Sequence, residues 1–184
     1  MQPISPKAQS GITVIELMFA LAIAAILFGF ATSSVSAAVN AARTSSGFSS
    51  LLASLTRARS IAANAGVEVV LCPSSDGTSC ADGYHWENGW IAFQSTHGRG
   101  DREADDPILL QQGALPPKVR LITTAGRTRI RFQASGGNVG SNVTFTFCDG
   151  RGALAAQAYA MSNAGNLHAA VMIPENVAEA CRNM

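Results

Sequence analysis

The chain has 184 residues, 47% of them hydrophobic and only 14% charged, with a formal net charge of +1. That length allows one globular domain beside a terminal segment. The near-neutral balance excludes a nucleic-acid partner recruited by global charge and leaves only local clusters to do so.

Met1 to Gly11 form a polar leader with a single cation, Lys7. Ile12 to Ala31 then make an apolar run interrupted by one charge, Glu16, and no further charge occurs before Arg43. About twenty such residues are what a helix needs to cross the hydrocarbon of a bilayer. A charge inside a membrane segment costs about 2.5–3.5 kcal/mol on the insertion scale, so Glu16 marks a function. An ordinary secretory signal would be cut after the run, near Ala31-Thr32-Ser33-Ser34. Its apolar core would then exceed the usual length of about 7–15 residues and would contain Glu16. Gly11, Ile12 and Glu16, with Thr13-Val14-Ile15 between and Leu17-Met18 after, instead resemble the class III signal of type IV pilins and type II secretion pseudopilins. The resemblance implies cleavage between Gly11 and Ile12, methylation of the new Ile12 amine, and retention of the apolar helix. Losing Lys7 with the leader makes the mature chain neutral. At about 1.5 Å per residue Glu16 lies about 6 Å from the new terminus. A buried carboxylate needs a partner or must be neutralised, and the nearest cation is the Ile12 amine of the same or a neighbouring subunit. In the family this Glu registers a subunit as it joins the filament; the alternative is a carboxylate reaching for the headgroups.

The helix is expected to continue past the apolar run. Phe48, Leu51, Leu52, Leu55, Ala58, Ile61 and Ala62 recur at three- and four-residue intervals, which marks one apolar face. Arg43, Arg57 and Arg59 fall mainly off it, Asn64 and Gly66 supply a stop, and no proline interrupts residues 12–64. A helix with such a second half needs a domain to pack on.

Short strands and turns follow. Val67–Cys72, Tyr84–Phe93 around the Asn88-Gly89 turn, Ile108–Leu110, Val119–Ile122, Arg127–Phe132, Val143–Cys148, Ala153–Met161 and Leu167–Ile173 are the candidate strands. Arg127–Phe132 is expected to pair with Val119–Ile122 or nearby, and Trp86 and Trp90 are read as core. Strands with turn signals between them indicate an antiparallel β domain. The expected fold is α+β and pilin-like: a leader (1–11), a transmembrane helix half (12–34), an amphipathic half (35–65) and a β-rich head (66–184).

The order extends the resemblance. Cys72-Pro73, Trp86, Gly89-Trp90-Ile91-Ala92-Phe93, an acidic loop before Ile108-Leu109, Ile130-Arg131-Phe132 and Phe145-Thr146-Phe147-Cys148-Asp149 together resemble the FimT/GspH family of minor pilins and pseudopilins. The family implies a structural subunit with its head in the periplasm and its helix spanning the inner membrane once, in a pilus or pseudopilus after assembly. The implied partners are other pilin subunits, the prepilin peptidase and the inner-membrane assembly platform. Minor subunits of this type resemble tip or initiation components.

Four cysteines in an exported chain point to disulfides. Of three possible pairings, the one joining Cys72 and Cys80 across a short loop is favoured, which leaves Cys148 and Cys181. A zinc site from Cys72, Cys80, His85 and His97 fits no common spacing, and no cofactor is expected. Asp101, Glu103, Asp105 and Asp106 offer oxygen ligands for Ca²⁺ without an EF-hand spacing. Arg99-Gly100-Asp101 spells an adhesion tripeptide too short to use. No enzyme motif occurs.

The main charge feature is Lys118, Arg120, Arg127, Arg129 and Arg131, with no acid between Asp106 and Asp149. On a strand, Arg127, Arg129 and Arg131 share one face over about 13 Å, and guanidinium is well suited to phosphate. Salt-dependent binding of DNA is the resulting alternative, against a solvated strand face paired with the acids of residues 101–106. Some FimT-type pilins bind DNA through Gly-Arg-x-Arg near the C-terminus. The equivalent place here reads Gly165-Asn166-Leu167-His168, and the Gly126-Arg127-Thr128-Arg129 match lies one strand earlier, so the family's motif does not carry over. Arg151 adds little to that surface.

Overall fold

The computed structural model describes residues 11–138, 140 and 143–182, without the side chains of residues 27–33. Most of the expected leader (1–11) therefore lies outside the described residues, as do the side chains near the C-terminal end of the 12–34 stretch. The element order is one long helix, α1 (Val14–Ala65), eight strands, and a short C-terminal helix, α2 (Pro174–Ala180). Contacts divide the chain into two units, residues 1–38 and 39–184.

In the first unit α1 presents large apolar side chains in every direction. Val14, Ile15, Leu17, Met18, Phe19, Leu21, Ile23 and Ile26 are all exposed. Among the described residues, no helix is long and apolar enough to cross a membrane.

In the second unit α1 is amphipathic and packs on two four-stranded antiparallel sheets. Strands β1 (Val69–Pro73), β2 (Trp90–Gln94), β3 (Ile108–Gln112) and β5 (Ile130–Phe132) form one, in the order β3-β2-β1-β5. The other has the order β4-β6-β7-β8, from β4 (Val119–Thr123), β6 (Val143–Asp149), β7 (Gln157–Met161) and β8 (Leu167–Ala169). Alternation along each strand distributes side chains between two faces. Val69 and Leu71, Trp90 and Ala92, and Val143, Phe145 and Phe147 join Leu51, Leu55, Ala58 and Ala62 of α1 in the central core. Leu52 departs from the expected stripe: it is 41% exposed, because the helix turns it away from the core that Leu51 and Leu55 enter.

The outward faces have their own covers. Val70, Cys72, Ile91 and Phe93 cluster with Cys80, and Ile122, Cys148 and Ala180 cluster with Tyr84 and Cys181. The disulfides Cys72–Cys80 and Cys148–Cys181 hold these covers in place. In the chain-entropy account, closures of these lengths contribute about 2.5 and 4 kcal/mol. The loop between Cys72 and Cys80 is further organised by Asp76, which accepts from the Thr78 and Ser79 amides and the Ser74 and Ser79 hydroxyls. Those donors, led by Ser79, hold its carboxyl well below the usual range.

Trp86 and Trp90 are fully buried. Between them Gly89 has φ 112°, and a Cβ there would lie 2.5 Å from the Gln112 carbonyl oxygen. Only glycine fits. Before this turn the Trp86 amide donates to the Leu121 carbonyl, so the segment stitches the second sheet to the start of β2.

Several strands are shorter than the sequence implies. The 153–161 segment opens with a 3-10 turn (Ala153–Ala155), and β8 ends at Ala169 rather than Ile173. Helix α2 was not expected. Its local signal is Pro174 in the first turn followed by Glu175, the residue types that helix starts favour.

Candidate assembly terminus and basic segment

Gly11, Ile12 and Thr13 precede α1 without regular structure, and Gly11 has nothing within 4 Å of where a side chain would begin. Ile12 is 76% exposed. The junction between Gly11 and Ile12 is thus exposed and outside regular structure, about one helical turn before Glu16. Thr13 Oγ1 accepts from the Glu16 amide at 3.4 Å, and the Leu17 amide donates to the Thr13 carbonyl at 3.1 Å. Thr13-Val14-Ile15-Glu16 therefore starts the helix with the Thr-x-x-Glu pattern of a capping box. The Thr-x-x-Glu spacing signals this role of Thr13 within the four residues themselves. Among the described residues Glu16 makes no ion pair, so its charge is open to a partner beyond this stretch.

The basic segment is arranged differently from the expectation. Strand β5 covers only residues 130–132 and pairs with β1, through Val69↔Phe132, Val70↔Arg131 and Leu71↔Ile130. It does not pair with β4. The reason is the turn after β4: the Arg127 amide donates to the Thr124 carbonyl, and Thr123 Oγ1 donates to the Arg127 carbonyl. The chain is thereby diverted to the free edge of the first sheet. Arg127 and Arg129 consequently lie in a connection, and the three arginines do not form a strand face. Arg129 pairs with Asp101 and donates to the Ala81 carbonyl. Arg131 Nη2 meets Glu68 Oε1 at 2.6 Å and also donates to the Gly98 carbonyl. Arg127 is exposed, and Lys118 and Arg120 lie apart at the start of β4.

The acids of residues 101–106 are similarly occupied. Asp101 holds Arg129, Glu103 meets Arg99 at 3.0 Å, and Asp105 meets His97 at 3.1 Å. His97 is raised above its ordinary value by the Asp105 hydrogen bond, with Glu103 adding to it. Asp106 is buried; burial opposes its charge, but hydrogen bonds from Thr96 and the Glu103 amide outweigh this and lower its pKa. His97, Glu103 and Asp105 bring one donor atom each within 4.8 Å of one another.

A polar junction fixes α1 to the second sheet. The Asp149 carboxylate, at the end of β6, accepts from Thr44 Oγ1 and from Nε and Nη2 of Arg151. The Arg151 guanidinium is the main cause that lowers Asp149 to about 2, with Thr44 reinforcing it against the cost of burial. Arg59 adds a second junction further along α1, donating to the Gly136 carbonyl and to Asn166 Oδ1.

An apolar N-terminal helix that becomes amphipathic and packs on antiparallel sheets defines a pilin-like subunit. The family model described as type II transport protein GspH matches residues 48–165, and that of the prokaryotic N-terminal methylation motif matches residues 6–32. The chain belongs to the GspH family of minor pilins and pseudopilins. It is similar in fold to the type IV minor pilin FimU of Pseudomonas aeruginosa strain PAO1, known in two crystal forms. These give TM-scores of 0.56 and 0.54 at 19% and 18% identity; each comparison covers 69% of this chain, and 87% and 92% of FimU. The minor pseudopilin EpsH of Vibrio cholerae gives a TM-score of 0.49 at 14% identity, over 70% of this chain and 97% of EpsH. No curated protein matches the chain.

Proposed function

We propose that this protein is a minor structural subunit of a type IV pilus or a type II secretion pseudopilus, with no catalytic role. It is held in the inner membrane through residues 12–34 before assembly and cut by the prepilin peptidase between Gly11 and Ile12. It then enters the filament through α1, at the inner-membrane assembly platform. The observation that carries this reading is the uncovered apolar surface around all sides of α1 from Val14 to Ile26, with one carboxylate, Glu16, in its first turn. A helix apolar all round needs lipid or other helices about it, and a subunit that passes from bilayer to filament meets both in turn. Glu16 would answer the Ile12 amine of a neighbouring subunit. The two disulfides fit an oxidising compartment such as the periplasm.

Mass spectrometry of the protein from membranes tests the reading. The expected N-terminus is N-methylated Ile12; a mature chain starting at Met1 or after Ala31 contradicts it. The alternative of DNA binding through Arg127, Arg129 and Arg131 has less support, since Arg129 and Arg131 are already committed to Asp101 and Glu68.

A further inference from the structure

The end of the second unit at which α1 enters it carries an apolar surface that the proposed assembly role does not use. Strand β6 finishes there at Asp149, and a Cβ on Gly150 would come within 2.8 Å of the Asn40 amide nitrogen on α1. The connection from β6 to β7 crosses this end and holds Leu154 on the 3-10 turn, 102% exposed. Strand β8 runs antiparallel to β7, and the Ala170 amide donates to the Ala158 carbonyl. Val171 therefore emerges beside Gln157, at this same end, and is 90% exposed. Met172 and Ile173 continue the exposed apolar run up to α2. The start of β4 brings Lys118 to this end, since Val119 pairs with Asp149, and Arg43 donates to the Pro117 carbonyl alongside. Arg151 is neutralised by Asp149.

We propose that Leu154, Val171 and Met172 form a lipid-surface contact that seats the head on the bilayer before assembly, with Lys118 and Arg43 toward headgroup phosphates. The inference rests on the membrane reading of residues 12–34. Ser34 and Asn40 are six positions apart in sequence, so the joint between them spans no more than about 20 Å even if fully extended. A tethered surface needs little affinity of its own, because the tether supplies a high effective concentration. Apolar side chains projecting beside cations are the composition that interfacial elements use, burying apolar groups at the headgroup boundary while Lys and Arg meet anionic lipid. Exposure of Leu154 and Val171 is costly in water and is relieved there.

The test uses the full chain, reconstituted in vesicles containing about one-third phosphatidylglycerol, a level of anionic lipid that attracts basic segments. All four native cysteines are bridged, so a single added thiol takes an environment-sensitive fluorophore selectively. Labels are placed by Leu154→Cys, Val171→Cys, Ala134→Cys at the opposite end of the head, and Ile23→Cys in the apolar helix. Quenching by headgroup nitroxide lipid at 154 and 171 is expected to exceed that at 134 about threefold or more, as for interfacial insertion, and Lys118→Glu should reduce it. Deep-bilayer emission from Ile23→Cys with 154 and 171 as unquenched as 134 overturns the lipid contact alone. A water-like Ile23→Cys signal overturns the membrane reading and the contact with it. Protection at 154 that rises with protein-to-lipid ratio, or persists in detergent, assigns the surface to a second copy and also overturns the proposal.

Discussion

Thr44, on the helix, donates its hydroxyl to the Asp149 carboxylate at the end of β6, a buried bond between residues 105 apart in sequence. It ties α1 to β6 where the helix enters the domain. Removing one partner leaves the other's polar atoms buried and unmatched, which costs more than the bond contributes. Thr44→Val should destabilise the head by about 1–3 kcal/mol, and Asp149→Ala by about 3 kcal/mol or more, because Arg151 loses its counter-charge as well. Urea unfolding of each variant in detergent, followed by tryptophan fluorescence, reads this as a lower midpoint at unchanged slope.

Asp149 also sets an acid limit. Its folded pKa of about 2 lies below its ordinary value of 3.8, so its stabilisation is fully present above about pH 4 and is lost as pH falls through 2. The lowering corresponds to about 2 kcal/mol. The wild-type midpoint should therefore drop between pH 4 and 2, and Asp149→Asn should flatten part of that drop.

Gly89→Ala should be the most damaging small substitution in the head. The new methyl would meet the Gln112 backbone oxygen at 2.5 Å in a conformation that L side chains rarely adopt. Backbone cannot yield as a side-chain tip can, and a loss of about 3 kcal/mol or more is expected. Ala at Gly66, which also has positive φ but nothing within 4 Å, should cost only about 1 kcal/mol. Comparing the two thermal midpoints separates clash from conformational preference.

Loss of the Cys148–Cys181 bridge should release α2 before it unfolds the head. The Cys148→Ser/Cys181→Ser pair frees the C-terminal segment from the outward face of the second sheet, and stability should fall by about 2–4 kcal/mol. Limited proteolysis is expected to cut first between residues 170 and 182 in this variant and to spare that segment in the wild type.

The arginines of the 127–131 segment are expected to act as internal ties. Duplex DNA should not be retarded by the full chain at about 150 mM salt, where phosphate contacts are already weakened. Arg131→Ala should instead cost about 1 kcal/mol through Glu68. Retardation by the wild type that Arg129→Ala/Arg131→Ala abolishes would establish the opposite.

Periodicity carries information wherever one chain segment decides its own environment. The three- and four-residue spacing of Leu51, Leu55, Ala58 and Ala62 needs only a helix and one apolar neighbour to be true, so it was readable without coordinates. The alternation in Val143–Cys148 and the turn at Asn88-Gly89 were readable for the same reason. The Gly11-Ile12-Glu16 signature, too, is local, a pattern of near neighbours within the N-terminal methylation motif matched over residues 6–32. By contrast, Arg127, Arg129 and Arg131 alternate as a strand face would, yet a turn closed by Thr123 and Thr124 places two of them outside any strand. Their partners Asp101 and Glu68 are 28 and 63 residues away. Likewise, Leu154 and Val171 became neighbours at one end only through the register of β6, β7 and β8. The sequence by itself determined the helix, its apolar faces and its terminal signal, since those follow from neighbours a turn apart. Only the tertiary structure decided which charges are spent, which sheet each strand joins and which apolar residues stay uncovered. Those depend on pairing between distant segments, and distance along the chain says nothing about which edge a strand will find.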